Sequence, residues 1–346
     1  MIDWVAALLE LHHVPVRSGA VVCVEADGTV AWESPRKMHV RGSHDATIHI
    51  RSVGGDGKGC ATHLYIDGNP SKWLQGHNLV GSDDLVALVF DVFQRLCALV
   101  GLEPTDLERQ KVRAGQYRVT RVDYNRMFEL PSRADVRAWL RAGEFKCKSR
   151  HGRPVHNRGT LTFGKGSSHW SVVCYCKADE LTAGGSHKLP DEINQHPEIH
   201  RWIDNKLRVE LRLRSKKLKA LNLEIANTLT PAVLWKLYRD FIGELDMSEQ
   251  IELNSEQLLS LPNKVRGTYA LWKQGFDLKD MMPNGTYYRH REVLMSFGID
   301  INIRCDRRDD SNVIPMIRIL EAKPAAIPQF FYDNNLVHFS TRRAAV

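Results

Sequence analysis

Leu207-Arg208-Val209-Glu210-Leu211-Arg212-Leu213-Arg214 is the stretch on which the fold turns. Its hydrophobicity repeats every two residues. Leu207, Val209, Leu211 and Leu213 fall on one side, and Arg208, Glu210, Arg212 and Arg214 on the other. Side chains alternate in this way in a β-strand, so the segment has one face for a core and one charged face. Upstream, residues 169–177 repeat the pattern. Trp170, Val172, Cys174 and Cys176 oppose His169, Ser171, Val173, Tyr175 and Lys177. Residues 117–127 read as a further strand, in which Arg121 and Asp123 share a face and Tyr124 points away.

Working outward, residues 21–25 and 30–33 flank the turn signal Asp27-Gly28, 47–51 alternate, and 63–66 end at Asp67-Gly68-Asn69-Pro70. Residues 71–83 are expected to form a loop. A helix is expected over 84–100, capped by Ser82 or Asp83 and stopped by Gly101. Ser132-Arg133-Ala134-Asp135 has the form of a capping box for a helix ending at Ala142. Residues 146–159 and 178–195 read as loops, 160–163 as a strand and 197–206 as a helix. Beyond Thr230-Pro231 the pattern turns helical, over 232–245, 255–260, 264–274 and 284–297, with a last strand at 313–320. Strands and helices without regular alternation predict the α+β class with an antiparallel sheet. The expected organisation is a sheet-bearing domain over 1–245 and a smaller, mostly helical domain over 255–325.

If the three alternating strands are neighbours, one surface combines Tyr175, Lys177, Asp123 and Glu210 with several arginines. That set suits a DNA phosphodiester. A phenol is a poor nucleophile at neutral pH. A divalent cation on carboxylates and nearby Arg or Lys would polarise the phosphate and ease ionisation of the phenol. The bland alternative is a solvated ladder of ion pairs, the commoner use of such faces, with Tyr175 as packing and Asp123 beside Arg121 as a surface pair.

Composition narrows the classes. The chain of 346 residues carries a formal charge of +7, which points to a polyanionic partner only weakly. Its seven cysteines lack paired Cys-x-x-Cys spacing, so free thiols are expected rather than a zinc knuckle. The start, Met1-Ile2-Asp3, lacks the basic region of a signal peptide, and the apolar run 85–93 is broken by Asp91 and too short for a membrane span. A soluble protein that stays in the cell making it is expected.

The segment Pro70-Ser71-Lys72-Trp73-Leu74-Gln75-Gly76-His77-Asn78 resembles the Pro-x-Lys-x-Leu-Gln-Gly-His-Asn run of the filamentous-phage replication-initiation family, the gene II and gene X proteins. Later segments are similar in the same order: Thr120-Arg121-Val122-Asp123, Val173-Cys174-Tyr175-Cys176-Lys177, Leu207-Arg208-Val209-Glu210-Leu211-Arg212, and Ser215-Lys216-Lys217-Leu218-Lys219. Met282-Pro283, Tyr287-Tyr288-Arg289 and Asn312-Val313-Ile314-Pro315 resemble the gene X portion. The resemblance runs from about residue 70 to 320. It implies a rolling-circle initiator that nicks the origin of supercoiled phage or plasmid DNA through a 5′-phosphotyrosine and later reseals the displaced strand.

The same resemblance implies Tyr175 as nucleophile with Lys177 beside it; analogy with other rolling-circle initiators puts Mg²⁺ or Mn²⁺ on Asp123 and Glu210, with His77, His49 and His63 as candidate further ligands. DNA contacts are expected from Arg121, Arg208, Arg212, Lys216, Lys217, Arg289 and Arg291. The last two lie on a helix that, with 264–274, could form a helix-turn-helix-like unit presenting Thr286, Tyr287 and His290 as well. Host helicase and polymerase are the implied partners, and the host bacterial cytoplasm the implied location. A non-enzymatic DNA-binding regulator using the same basic surface stays open at this stage, distinguished by the absence of a covalent adduct.

Overall fold

A computed structural model describes residues 1–16, 19–42, 44, 46–148, 154–184, 188–243, 246–247, 253, 255–297, 299, 301 and 325–339. The expected strand at 313–320 lies outside them.

The chain opens with β1 (Ile2–His13), β2 (Ala20–Val24), β3 (Val30–Pro35), β4 (Met38–Arg41), β5 (Thr47–Val53) and β6 (Ala61–Gly68). Helices α1 (Pro70–Gln75), α2 (Leu85–Val100) and α3 (Asp106–Arg113) follow, then β7 (Arg118–Glu129), α4 (Arg133–Lys146), β8 (Cys147–Lys148), β9 (Val155–Asn157), β10 (Thr160–Phe163) and β11 (Trp170–Cys176). Next come α5 (Lys177–Thr182), α6 (Asp191–Asn194), α7 (Pro197–Ile203), β12 (Lys206–Arg214), α8 (Ser215–Ala220) and α9 (Pro231–Gly243). After β13 (Asp246–Met247) lie α10 (Ser255–Ser260), α11 (Asn263–Lys273), α12 (Leu278–Met281) and α13 (Asn284–Ser296).

Nine strands form one antiparallel sheet in the order β4-β5-β6-β1-β7-β12-β11-β10-β9. The three alternating strands of the sequence are adjacent at its centre. β1, at the middle of the sheet, has no counterpart among the expected strands. Its middle, Val5-Ala6-Ala7-Leu8-Leu9, is apolar on both faces, and a strand of that composition shows no alternation.

The loop expected at 71–83 contains α1. Asn69 caps it by accepting the Lys72 N–H at 2.8 Å, Pro70 fills its first turn, and Gly76 ends it with φ of 85°. Asp84, rather than Ser82 or Asp83, caps α2 by accepting the Ala87 N–H at 3.0 Å. Asp83 instead pairs with Arg126 at 2.6 Å. Helix α4 continues past Ala142 to Lys146. α5 and α6 occupy parts of the stretch read as a loop at 178–195, and β9 lies in the one at 146–159. α5, α6 and β9 have six, four and three residues, too few to carry a period.

One apolar cluster spans the sheet and its flanking helices, and a second unites Val265, Tyr269, Trp272, Tyr287 and Leu294 of α11 and α13. The chain then returns to the sheet. Ala325 donates its N–H to the Met127 carbonyl at 2.8 Å, and Phe331, in the short helix Gln329–Asp333, is fully buried in the first cluster against His77 and Trp202.

Candidate nuclease site

Four central strands bring the charged faces together. Tyr175 lies opposite Arg208 and Val173 opposite Glu210. On the other edge of β12, Glu210 lies opposite Asn125 and Arg212 opposite Asp123. Asp123 in turn faces Trp4 of β1. Directly opposed residues project to the same side of a sheet, so these groups share one surface. The register shifts between Ile2 and Trp4, and this bulge turns Asp3 to the same side. Over the surface lies a cleft of about 1100 Å³, whose lining includes Tyr175, Asp123, Glu210, Arg121 and Arg212.

Helix α1 builds the far wall. Its left-handed stop at Gly76 sends the chain into a turn where Asn78 reaches two partners. The Asn78 amide donates to Asp3 Oδ1 at 2.9 Å, and Asn78 Oδ1 accepts from Lys177 Nζ at 3.0 Å. Asp3 Oδ1 also accepts from Arg208 at 2.8 Å and from Asn69 at 2.8 Å. Lys72 of α1 lines the cleft as well. Asp3, Asn78 and Lys72 are not among the site residues expected from sequence. Asn78 and Lys72 stand in the Leu-Gln-Gly-His-Asn segment and its approach, while nothing local marks Asp3.

The carboxylates differ in environment. Asp123 is buried, and its two oxygens accept from Arg121 Nε at 2.9 Å and Nη2 at 2.5 Å. Burial nevertheless pushes its carboxyl up, against the pull of Arg121. Glu210 accepts from Arg212 Nε at 2.7 Å. Burial, reinforced by the charge of Asp3, raises it to about 7. Asp3 is held below the usual range: burial works against ionisation, and Arg208, Lys177 and the two asparagine amides overcome it. Burial also pushes the Tyr175 phenol well up, with the Arg208 guanidinium opposing. Among the described residues no group hydrogen-bonds to the Tyr175 hydroxyl.

Several expected site residues stand elsewhere. His77 is fully buried outside the cleft; its Nε2 donates to the Leu336 carbonyl at 2.7 Å and its Nδ1 accepts the Leu79 N–H at 3.2 Å. With both ring nitrogens committed it has no lone pair for a metal. Arg208 is fully buried and braces Asp3 and the Asn78 carbonyl, so it cannot meet DNA directly. Lys177 begins α5 behind the cleft, tied to Asn78 and Glu180, and burial lowers it to about 8.

Lys216 is exposed on α8, while Lys217 lies over the Phe241 ring at 4.9 Å. On α13, Arg289 is exposed and Arg291 half-buried. Tyr287 and His290, expected to face outward, turn to α11 instead: Tyr287 is in the core and His290 pairs with Thr268 at 2.7 Å. Tyr124 points away from the cleft, as expected, with its hydroxyl on Asp83 at 3.2 Å.

Among the described residues one group of three His, Cys, Asp or Glu side chains has donor atoms close enough to hold a metal ion: His12, Asp56 and Cys60. It is a candidate for divalent-metal binding with mixed nitrogen, oxygen and sulfur donors. It sits at the other end of β1 from Asp3, roughly 30 Å away at about 3.3 Å per strand residue. The cleft itself offers carboxylate oxygens, the donors that Mg²⁺ and Mn²⁺ prefer.

Family models decide the kinship. One describes the N-terminal part of the phage gene II replication-associated protein and matches residues 1–232; one for its C-terminal part matches residues 253–337. The chain belongs to the gene II replication-associated protein family. The replication-associated protein of this type from Enterobacteria phage I2-2 is 49% identical over 347 residues, covering 100% of this chain and 99% of that one. No solved structure matches. As a member of the gene II family, the chain is a rolling-circle replication initiator with nuclease activity, and the non-enzymatic regulator reading falls away. Among the described residues no helix is long and apolar enough to cross a membrane.

Proposed function

We propose that Tyr175 is the nucleophile of this gene II family member, in a domain of rolling-circle-nuclease type. The observation that carries the reading is placement. Tyr175 is the one tyrosine among the described lining of a cleft that also holds carboxylates and the Arg121 and Arg212 guanidinium groups.

The phenol oxygen attacks a backbone phosphorus of the origin strand and gives up its proton. The bond to the 3′ oxygen breaks, and that oxygen leaves as a 3′-hydroxyl once protonated. A tyrosine–phosphate ester then holds the 5′ end, and the reverse attack by a 3′-hydroxyl reseals the strand without an external energy source. Arg121 and Arg212 bind the phosphate oxygens and offset the charge that develops there. A Mg²⁺ or Mn²⁺ ion at the carboxylate side of the cleft, where Asp123 and Glu210 stand, would polarise the same phosphate. Lys216, Arg289 and Arg291 supply contacts to the flanking origin DNA. In the cytoplasm of a bacterial host, the freed 3′ end serves the polymerase while a helicase opens the duplex.

The test is a denaturing gel of protein, supercoiled origin DNA and Mg²⁺, comparing wild type with Tyr175→Phe. A covalent protein–DNA band in wild type that vanishes in the variant is the expected result. Bands of equal strength in both would assign the attack to another residue.

A further inference from the structure

We propose that the cation of the cleft is held by an all-oxygen set formed by Asp3, Asn125 and Glu210, with His77 and Asp123 outside it. This deepens the reading of the cleft as a metal-assisted nuclease site and rests on it.

Asn125 gives the reason. Strand alternation puts it on the face of Asp123, and the ladder sets it directly across from Glu210. Its backbone bonds normally, to Met1 in both directions at 2.9 and 2.7 Å. Its side chain is fully buried next to the cleft-lining Glu210 rather than in the lining itself, and neither Oδ1 nor Nδ2 has a partner. A buried amide left unpaired costs about 1–3 kcal/mol for each unmet group, and native structures seldom keep one without a ligand, water or ion to meet it.

The neighbouring oxygens narrow the choice. Asp3 stands two residues from Met1, at the bulge. Its Oδ1 is saturated by Arg208, Asn69 and Asn78, which fixes the carboxylate and leaves Oδ2 without a hydrogen bond among the described residues. Glu210 commits Oε1 to Arg212 and leaves Oε2 likewise. Asp123 has both oxygens on Arg121. Three oxygens of compatible charge therefore remain: Asp3 Oδ2, Glu210 Oε2 and Asn125 Oδ1. Hard oxygen donors suit Mg²⁺ or Mn²⁺ and disfavour Zn²⁺. The Arg208 Nε–H, on the same face and also without a partner, could donate to a cation-bound water.

The test is a Mn²⁺ titration of the full chain without DNA, read by loss of the free-ion electron paramagnetic resonance signal. Asp3→Asn and Asn125→Leu should each weaken Mn²⁺ binding by at least about tenfold. His12→Ala should leave this Mn²⁺ site unchanged. The metal-free melting temperature of Asn125→Leu should equal or exceed that of wild type, because the substitution removes an unmet buried amide. That result separates a lost ligand from a lost fold.

Wild-type Mn²⁺ affinity in both cleft variants would overturn the proposal. So would binding abolished by His12→Ala, or no Mn²⁺ bound by wild type at millimolar concentration. The titration needs neither DNA nor Tyr175. Failure of the nucleophile assignment, seen as an adduct persisting in Tyr175→Phe, is thus distinguishable from failure of the ligand set.

Discussion

At position 77 the imidazole is locked from both sides, and the consequence can be measured. Burial pushes its pKa down to about 4, so in the fold His77 stays neutral where an unfolded chain would protonate it near 6.5. Between these values the unfolded state binds more protons. Stability is therefore intact above about pH 6.5 and falls as pH drops toward 4, by up to roughly 3 kcal/mol from this residue. Urea unfolding at about pH 7 and about pH 4.5 should show that loss in wild type and a smaller one in His77→Gln; equal losses would mean the ring is not shielded. The same residue marks the limit of what sequence discloses. Alternation is local, so Tyr175, Asp123 and Glu210 could be assigned to one surface. Whether His77, Lys177 and Arg208 reach that surface depends on what covers them: Leu336 bonds to His77, and Asn78 to Lys177 and Arg208, from positions distant in the chain.

Among the elements, the strands with alternating apolar and polar residues and the long helix are readable because each carries a period or a stop. β12 alternates, and α2 has its apolar run and its Gly101 stop. β1 and α1 are not, for opposite reasons. β1 runs Val5-Ala6-Ala7-Leu8-Leu9, apolar on both faces, and so has no contrast, whereas β12 keeps its charged face although that face is buried; α1 has six residues and no room for a period, so its caps alone announce it. The flanks of α1 also support the site, since its cap Asn69 and Asn78 beyond its stop both hold Asp3. Gly76 and Gly101 make a matched pair for testing this. Both have positive φ, 85° and 70°, but a Cβ at Gly76 would lie 2.9 Å from the His44 ring, whereas at Gly101 it meets nothing within 4 Å. Gly101→Ala should cost about 1 kcal/mol from the dihedral alone. Gly76→Ala should cost more and should lower nicking as well, because the turn to Asn78 moves. Thermal unfolding of the two variants decides it, and equal losses would show that the His44 contact is relieved cheaply.

At the scale of the whole molecule, the described chain leaves the sheet, forms a second apolar cluster, and comes back. Phe331 lies in the first core although its sequence neighbours belong to the C-terminal family segment. Phe331→Ala should destabilise the sheet-bearing part by about 3 kcal/mol, as loss of a fully buried aromatic does. Unfolding followed by tryptophan emission would check this, since Trp202 lies 5.2 Å from that ring. An unchanged transition would mean that the returning segment adds nothing to the core. Sequence patterning holds no hint of the return, because a contact between residues 77 and 331 has no local period.

The return also sets a clock. During synthesis, the first 232 residues emerge from the ribosome long before residues 325–339. His77 then has no Leu336 carbonyl to bond, and the socket for Phe331 stands open. The sheet-bearing part is finished by a segment translated well after it, so a nascent or prematurely terminated polypeptide carries Tyr175 on an incompletely sealed scaffold.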